Sequence, residues 1–366
     1  EFHALGVLEQ IVSTDADGPT ERLSRDQVLG DLPLTLSRVH APRKIKASRQ
    51  LWKTVRRTLP AVDVVHIHGH YLFSSAATAF LARRAGVPYF VQPHGVLEPY
   101  QRQTGRGRKA VFDKVLSRGY LANAAGVMFA TESEAVAARD LVPAEKAFVI
   151  SLGASLPVVP EGFVSPWPKT RPRVVFLSRL AYKKRLDLLV RAWPQVLTDV
   201  PDAELMIAGE GEQAEAVAGV IEELGLGDSV QLLGRVTGPA KTTLLESADV
   251  FVLISENENF AVSVAESCAA GTPVVVSDQV ALHSLIERYD AGLVVRELTA
   301  SAAAQALISM LTEPGCKGAN ARRAWEAELQ WASTARGLVA SYAFVVGRGG
   351  DPRDVHGVVG SSAETG

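Results

Sequence analysis

The sequence predicts an α/β protein built from two doubly wound domains that face each other across a cleft. Short apolar runs of strand length alternate with helical segments along most of the chain, a pattern typical of parallel sheets with crossover helices. This alternation stops once, over residues 153–172, where five prolines lie between position 157 and position 172. The 366 residues are enough for two domains of ordinary size. We therefore expect one domain on each side of this linker.

The first predicted domain covers residues 1–152. Its predicted strands are Leu8–Thr14, Val62–His68, Tyr89–Gln92, Val127–Thr131 and Val149–Ile150. Its predicted helices are Lys46–Thr58, Leu72–Arg84, Lys109–Leu121 and one that opens at Thr131. After the first strand, Asp15 and Asp17 precede a Gly-Pro pair. This segment is either an Asx-rich turn or a carboxylate pair for a metal–nucleotide complex.

The second predicted domain covers residues 173–330. Its predicted strands are Arg173–Ser178, Glu204–Ala208, Val230–Leu233, Val250–Ile254, Val274–Ser277 and Leu293–Val295. Ligands of a doubly wound domain bind at the carboxyl ends of its strands, so we expect the site there. Residues 331–346 are predicted to form a C-terminal helix that packs back toward the first domain, and residues 347–366 a disordered tail.

The charge is unevenly distributed along the chain. Residues 1–153 hold 20 Lys and Arg against 14 Asp and Glu, although the whole chain has a net charge of −2. Eight basic residues and no acidic ones lie between Pro33 and Val62: Arg38, Arg43, Lys44, Lys46, Arg49, Lys53, Arg56 and Arg57. This block is either a solvated face or a surface for anionic lipid headgroups or an anionic acceptor. Trp52 is its only aromatic residue, so nucleic acid is not expected as a partner.

The most specific pattern lies in residues 250–277. A buried strand is followed by the polar corner Ser255–Asn259, a helix of small residues from about Phe260 to Ala270, and a second strand. Glu258 would lie at the rim of the sheet and Glu266 on the helix. Between them, the free N–H groups of the first helical turn offer a seat for phosphate. This arrangement suits a nucleotide-diphosphate sugar; the alternative is an ordinary amphipathic helix with two solvated glutamates.

The spacing of Glu258 and Glu266, within Glu-Asn-Phe-Ala-Val-Ser-Val-Ala-Glu-Ser-Cys-Ala-Ala-Gly-Thr-Pro-Val-Val, resembles the signature of retaining glycosyltransferases of family 4, or glycosyl transferases group 1. The resemblance spans roughly residues 5–345. It implies two Rossmann-like domains of the GT-B type, with the donor held mainly by the second and the acceptor by the first. It also implies that Glu258 meets the donor sugar, that Glu266 meets the ribose, and that the donor contacts Asn259, Phe260 and Ala261. Ala261 stands where the family usually has glycine, so a positive φ there would be strained.

Arg179 and Lys184 lie five residues apart in the loop after the first strand of the second domain. Two cations placed in this way could clamp a diphosphate from two directions without a metal. The stretch resembles the family's Gly-Arg-Leu-x-x-x-Lys-Gly, with Ser178 and Arg185 in place of the two glycines. The alternative is a pair of surface charges at the start of a helix.

Residues 209–214 match the dinucleotide fingerprint Gly-x-Gly-x-x-Ala. They follow the second strand of the domain rather than the first, so a nicotinamide-dependent oxidoreductase is the weaker alternative. The resemblance implies instead a plain loop in which Gly209 allows close approach to the donor. It also assigns Arg235 and Val236 to a segment whose backbone reads the nucleotide base.

Four histidines mark the first domain as part of the site. His66, His68 and His70 alternate along a strand end, which predicts three imidazoles on one face. They either bind a metal with further ligands, or line the cleft with His68 or His70 facing the acceptor. His94 directly follows a short strand, between a proline and a glycine. The resemblance implies that His94 approaches the transferred sugar; the alternative is a satisfied loop histidine.

The resemblance implies transfer of a hexose from a nucleotide-diphosphate sugar to a glycan or lipid-linked acceptor, with retention, in cell-envelope or exopolysaccharide synthesis. Neither a metal nor a cofactor is expected, because Arg179 and Lys184 stabilise the leaving diphosphate. The alternative is a sugar-nucleotide-binding protein with little turnover. It follows from residues 3–6, which look like the end of the family's first helix, so that the first strand and its glycine-rich loop are expected to be missing.

The predicted location is the cytoplasm, with peripheral contact on the inner face of an anionic membrane through Arg38–Arg57. Two cysteines, Cys268 and Cys316, are too few for a disulfide framework and fit a reducing compartment.

Overall fold

The computed structural model describes residues 6–7, 10–17, 21–22, 33–39, 47–98, 102, 107, 109, 112–113 and 118–350. The chain divides into two units. The first contains residues 1–151 and 334–366, and the second contains residues 152–333. The polypeptide therefore passes from one unit to the other twice, after Ser151 and after Ser333.

The strands of the first unit form three sheets. They are β1 (Ile11–Thr14), β2 (Ala16–Asp17), β3 (Glu21–Arg22), β4 (Leu34–Ser37), β5 (Val65–His68), β6 (Tyr89–Gln92), β7 (Gly126–Phe129) and β8 (Ala147–Val149). Strands β5 to β8 form a parallel sheet in chain order, while β1 pairs with β4 in parallel and β2 with β3 in antiparallel. Among the described residues, no strand pairing joins β1 and β4 to β5.

Each predicted strand of this unit overlaps an observed strand, but the prediction missed the short strands β2 and β3, and also β4. This strand has only four residues and alternates polar with apolar side chains at the start of the basic block. A run of four residues gives a weak periodic signal, and the charges that follow it favour a solvated surface segment instead of a strand.

The helices of the first unit are α1 (Arg49–Thr58), α2 (Phe73–Ala85), α3 (Arg118–Ala122) and α4 (Glu132–Ala137). The side chain of Ser48 accepts a hydrogen bond from the Leu51 amide and thereby caps α1. Gly86 ends α2 in the left-handed conformation, with φ 72°. Six of the thirteen residues of the helix predicted at Lys109–Leu121 lie outside the described residues, as does Lys46, the predicted start of the first helix.

Apolar side chains cover both faces of the β5–β8 sheet. One face packs against α1 and α2 through residues such as Leu51, Val55 and Ile67. The other face buries a cluster that includes Phe90 and Phe148. Burial on both faces explains why these strands are short, continuous apolar runs.

The second unit contains one parallel sheet of six strands. They are β9 (Arg173–Leu177), β10 (Glu204–Ala208), β11 (Val230–Gly234), β12 (Val250–Leu253), β13 (Val274–Ser277) and β14 (Gly292–Val295). Each confirms a predicted strand, with ends that differ by at most one residue. The strand order is β11-β10-β9-β12-β13-β14, the order of a doubly wound Rossmann sheet. The chain reverses direction across the sheet between β9 and β12, and this is the topological switch point.

The helices that follow these strands are α5 (Leu186–Asp199), α6 (Ala214–Glu223), α7 (Gly238–Glu246), α8 (Val262–Ala270), α9 (His283–Tyr289), α10 (Ala300–Thr312) and α11 (Lys317–Glu328). A last helix, α12 (Trp331–Val345), belongs to the first unit from residue 334 onward. Its Leu338 and Tyr342 pack on Phe90 and Phe148 of the first sheet's second face. Residues 351–366 of the predicted tail lie outside the described residues.

The predicted linker contains no helix or strand and is attached to the second unit. The guanidinium of buried Arg173 donates to the carbonyl oxygens of Trp167 at 2.9 Å and Pro168 at 3.1 Å. The same guanidinium forms an ion pair with Glu204 at 2.7 Å. The end of the linker is therefore held at the amino end of β9.

Candidate functional site

The predicted donor residues of the second unit follow strands that meet at one edge of its sheet. Arg179 and Lys184 lie in the loop after β9, and Glu258 lies in the loop after β12. Because the two strands are parallel neighbours, their carboxyl ends meet at the topological switch point. That is the position at which open α/β sheets bind their ligands.

Glu258 is the centre of a charged cluster at this edge. Its Oε1 accepts hydrogen bonds from Lys184 Nζ at 2.8 Å and Ser255 Oγ at 2.9 Å. Lys183 Nζ lies 3.1 Å from the same oxygen and also donates to the carbonyl of Asn257 at 2.9 Å. The sequence assigns Lys184 to the diphosphate and Glu258 to the sugar, and the structure brings these two side chains into contact.

The loop that carries Glu258 is fixed on both sides by backbone hydrogen bonds. The Glu256 amide donates to the Lys183 carbonyl at 2.8 Å, and the Glu258 amide donates to the Gln279 carbonyl at 3.0 Å. The Ala281 amide in turn donates to the Glu258 carbonyl at 3.1 Å. The carboxylate is thus held between the loops that follow β9 and β13, and needs little rearrangement to meet a ligand.

Burial and charge act in opposite directions on this cluster. Burial raises the pKa of Glu258, but Lys184 and Lys183 outweigh burial and leave the pKa below its ordinary value of 4.5. Burial lowers the pKa of Lys184 below 10.5, and the attraction of Glu258 offsets only part of that effect. Glu258 is therefore ionised at neutral pH, and the lowered pKa of Lys184 shows that burial disfavours its charged form.

Arg179 differs from Lys184 in its surroundings. Its side chain is exposed, whereas Lys184 is 6% exposed. No ion pair of Arg179 is found within the described parts of the chain. Arg179 can therefore bind an anion directly. Lys184 would have to divide its hydrogen bonds between that anion and Glu258. Sequence reasoning missed Lys183, because nothing in Tyr182-Lys183-Lys184 distinguishes one lysine from the other.

Glu266 lies on α8 and pairs with Lys241 of α7, whose Nζ is 2.5 Å from Glu266 Oε1. Both side chains are mostly buried, at 11% and 19% exposure. Lys241 was not predicted, since no sequence pattern links a single lysine to a glutamate 25 residues away. In this structure, Glu266 is therefore a preformed, charge-balanced acceptor rather than a solvated surface carboxylate.

The start of α8 has the strained backbone that the sequence predicts. Ala261 precedes the helix with φ 63°, and no side chain caps the first turn. Phe260 is buried and Asn259 is half-buried. A non-glycine residue in the left-handed region costs about 1–2 kcal/mol. The first turn of α8 therefore keeps backbone N–H groups that no side chain satisfies.

The loop after β9 packs so closely on two positions after β10 that only glycine fits at them. A Cβ at Gly209 would lie 1.9 Å from the Ser178 carbonyl oxygen, and one at Gly211 would lie 2.3 Å from that of Leu180. The Leu180 amide donates to the Glu210 carbonyl at 2.9 Å across this contact. The fingerprint-like pattern thus packs one loop on the other, and contact of Gly209 with a donor stays a prediction.

Arg235 and Val236 follow β11 at the same edge of the sheet. Arg235 is exposed and Val236 is half-buried. The preceding Gly234 has φ 65°, and its carbonyl accepts a hydrogen bond from the Gly209 amide at 2.7 Å. Their contact with a base stays a prediction.

The first unit places His94 at the carboxyl end of β6. Its backbone is left-handed, with φ 57°. The buried carboxylate of Glu134 accepts hydrogen bonds from the Gly95 amide at 2.5 Å and from the Ala130 amide at 2.9 Å. Glu134, which sequence reasoning missed, therefore holds the loop that presents His94. His68 Nδ1 lies 2.9 Å from His94 Nε2.

The expectation of three imidazoles on one face is wrong for His70. His66 and His68 do share a face, with ring centroids 4.5 Å apart and planes within 5°. The strand ends at His68, and Gly69, with φ 83°, turns the chain. His70 is consequently buried, 1% exposed, and its ring packs on Tyr120. A buried ring is not available to an acceptor.

The structure also bears on the two metal alternatives. In the described parts of the chain, no group of three or more His, Cys, Asp or Glu side chains is placed to hold a metal ion. His66, His68 and His70 therefore do not form such a group. Asp15 Oδ1 accepts a hydrogen bond from the Val39 amide at 2.8 Å, which favours a role in holding the turn.

Comparison with known families identifies the family of the chain. Residues 161–329 match the model of the glycosyl transferases group 1, and residues 1–153 match the glycosyl transferase 4-like domain. The chain belongs to the group 1 glycosyltransferases, and its fold is of the GT-B type.

The matches to two curated relatives each extend over most of the chain. A phosphatidyl-myo-inositol mannosyltransferase of Mycolicibacterium smegmatis is 29% identical over 260 residues, 70% of this chain and 61% of the relative. A D-inositol 3-phosphate glycosyltransferase of Segniliparus rotundus is 25% identical over 312 residues, 75% of this chain and 65% of the relative. The match thus spans less than two thirds of each relative's length.

Solved structures show the same fold at low identity. A glycosyltransferase of Rickettsia africae superposes with a TM-score of 0.69 at 16% identity, covering 86% of both chains. HepE of Anabaena, solved with UDP and glucose, superposes with a TM-score of 0.67 at 16% identity and the same coverage. Within the described residues, no helix has the length and apolar character needed to cross a membrane.

Proposed function

We propose that this protein transfers a hexose from a nucleotide-diphosphate sugar to a glycan or lipid-linked acceptor, with retention at the anomeric carbon. The observation that carries the proposal is the Lys184–Glu258 pair at the switch point, with Arg179 exposed beside it and Glu266 charge-balanced on α8. In this proposal Glu258 binds the sugar, Arg179 and Lys184 bind the diphosphate, and Glu266 binds the ribose.

The charges fit a leaving diphosphate. A nucleoside diphosphate carries about two negative charges near its transferred bond, and charge-assisted hydrogen bonds stabilise them as the bond breaks. Arg179 would meet the phosphates directly. Lys184 would turn from Glu258 toward them, while sugar hydroxyl groups donate to Glu258 in its place. The uncapped start of α8 adds backbone N–H groups for a phosphate oxygen.

These cations supply the positive charge that a divalent metal supplies elsewhere, so we propose that the reaction is metal-independent and requires no cofactor. His94 would lie near the reacting carbon and support the sugar. No side chain is assigned as a nucleophile, since retention in this proposal comes from attack by the acceptor on the face that the diphosphate leaves. The departing phosphate would accept the acceptor's proton.

The relatives support a nucleotide-sugar donor and an acceptor of the cell envelope. HepE was solved with UDP and glucose, and two of the curated relatives are named for phosphatidyl-myo-inositol and inositol 3-phosphate. We propose a glycan or lipid-linked acceptor by this likeness. A nicotinamide cofactor is less well supported, because the Gly209 and Gly211 backbone packs on the loop after β9.

The test is a panel of nucleotide sugars incubated with the protein, with and without a chelator, scored by release of nucleoside diphosphate. We expect release from one donor class, unaffected by the chelator and strongly reduced in Glu258→Ala. NMR of the released or transferred sugar should show the anomeric configuration of the donor. Binding without any release would favour the sugar-nucleotide-binding alternative.

The basic block forms part of the proposed membrane contact. On α1, Leu51 and Val55 are buried, whereas Arg49, Lys53, Arg56 and Arg57 are exposed. Arg38 is also described, while Arg43, Lys44 and Lys46 lie outside the described residues. Each basic residue near an anionic surface contributes about 1 kcal/mol.

Co-sedimentation with phosphatidylserine-containing vesicles tests this contact. Binding should fall as salt rises and should weaken in a variant with Lys53, Arg56 and Arg57 replaced by glutamine. A matched control replaces Arg191, Arg288 and Arg296, which are exposed in the second unit. Equal binding of both variants, or binding that salt does not change, would exclude the contact.

A further inference from the structure

His68 and His94 form a hydrogen-bonded pair at the carboxyl edge of the first sheet. His68 ends β5 and His94 follows β6, its neighbour in the sheet. Their rings are within 15° of parallel, with 2.9 Å between His68 Nδ1 and His94 Nε2. A nitrogen–nitrogen hydrogen bond needs one proton between the two atoms, so the protonation of one ring depends on the other.

The surroundings hold both rings in place. The His66 ring stacks on His68, and its Nδ1 forms a hydrogen bond with the Tyr342 hydroxyl on α12. The His94 backbone is held by the Glu134 carboxylate through the Gly95 amide. His68 therefore has a support on one face and His94 at its edge, and neither ring is a freely rotating surface side chain.

Both imidazoles are kept neutral. Burial, and then the charge of His94, lowers the pKa of His68, and burial lowers the pKa of His94. The side chains of His68 and His94 are nevertheless both exposed, and solvent weakens the effect of burial on the pKa of each. A neutral imidazole can hold its proton on either nitrogen, and the hydrogen bond at one nitrogen decides what the other one offers.

We propose that His68 is a positioning residue for His94. By occupying Nε2 of His94, it leaves Nδ1 as the nitrogen that faces the transferred sugar and restricts the ring to one tautomer and one orientation. The proposal deepens the proposed function and rests on it for the sugar. The hydrogen bond between the two rings rests on the geometry alone. The ring pairing and the proposed function can therefore be disproved separately.

Three variants at position 68 separate positioning from simple structural support. An asparagine amide can occupy the place of the imidazole Nδ1, whereas leucine removes the hydrogen bond and glutamine moves the amide away from that place. We expect His68→Leu and His68→Gln to lower kcat for donor turnover about tenfold, the loss of one hydrogen bond, with little change in KM. His68→Asn should stay within about threefold of the unaltered chain.

A double variant tests whether the effect passes through His94. Adding His68→Leu to His94→Ala should cause no further loss of kcat, because the positioned ring is already absent. Losses that multiply, full activity of His68→Leu, or an Asn variant as poor as the Leu variant would overturn the proposal.

Long-range ¹H–¹⁵N NMR of the histidine side chains in the full chain gives a readout that needs no activity. His94 should show one fixed neutral tautomer in the unaltered chain and in His68→Asn, and averaged nitrogen shifts in His68→Leu. Identical His94 shifts in all three would overturn the pairing. If the pairing holds but no nucleotide sugar is turned over, the proposed function fails instead.

Discussion

The Lys184–Glu258 pair predicts an asymmetry between two substitutions that break the same contact. In the unaltered chain, Lys184 Nζ and Lys183 Nζ lie 2.8 and 3.1 Å from Glu258 Oε1. Glu258→Gln removes the negative charge between them and leaves two cations close together. Lys184→Met leaves Glu258 with Lys183 and with the Ser255 hydroxyl at 2.9 Å. It also removes a cation whose lowered pKa shows that its burial is unfavourable. The carboxylate is therefore harder to replace than the lysine.

The magnitudes follow from burial. Removing one partner of a buried ion pair costs about 3–5 kcal/mol, and we expect about 2–3 kcal/mol for Glu258→Gln, because the glutamine oxygen still accepts a hydrogen bond from a lysine. We expect at most about 1 kcal/mol for Lys184→Met, because burial of Lys184 outweighs the attraction of Glu258 and the substitution removes both. The double variant should recover about 1 kcal/mol relative to Glu258→Gln, since one stranded cation is gone.

Urea and thermal unfolding of the full chain measure these differences in stability. Hydrogen exchange then shows whether they arise in the second unit. About 2–3 kcal/mol corresponds to a fall of roughly 4–12 °C in the Tm of that unit. Glu256→Gln is the matched control: it lies two residues away, pairs with Arg185 at 3.1 Å, and is 34% exposed. It should change stability by at most about 0.5 kcal/mol. Equal losses of stability in Glu258→Gln and Lys184→Met would show that the predicted asymmetry does not exist.

Three further predictions concern the same residues and the histidines. Glu266→Gln should weaken nucleoside diphosphate binding about tenfold, whereas Glu258→Ala should lower turnover far more than affinity; titration calorimetry with nucleoside diphosphate decides, and equal effects contradict the assignment. Ala261→Gly should raise the free energy of unfolding by about 0.5–1 kcal/mol, strain relief less the entropy of glycine, and urea unfolding showing no gain would argue against strain. Burial lowers the His70 pKa from 6.5 to about 4, so its contribution to stability is present above pH 6.5 and is lost as pH falls toward 4. At pH 5 the loss is about 2 kcal/mol, visible as faster hydrogen exchange in the first unit, and unchanged exchange would contradict it.

Most of the second unit could be predicted because its signals are local. Six short apolar runs, each followed by a helix, specify a parallel sheet, and α8 ends at Ala270 as predicted, with Gly271 next at φ 76°. The strain at Ala261 was also predictable, because a family pattern with glycine at that position points to a left-handed backbone. These features depend on residues that are neighbours in sequence.

The partners of the site residues could not be predicted, since they come from elements far apart in the chain. Lys241 is 25 residues from Glu266, and Glu134 is 39 residues from the amide that it holds beside His94. The direction of a side chain after a turn is likewise set by tertiary packing. The alternation from His66 to His70 correctly pairs the first two imidazoles, but the turn at Gly69 buries the third.

The central claim is that a nucleotide-diphosphate sugar binds at the switch point between β9 and β12. Hydrogen exchange of the full chain, with and without a saturating nucleoside diphosphate, tests it most directly because it locates the ligand without requiring turnover. We expect slower exchange in residues 178–185 and 256–266, and in Glu266→Gln the same protection should require about tenfold more nucleoside diphosphate. No protection with any nucleoside diphosphate, or protection confined to residues outside these two loops, would contradict it.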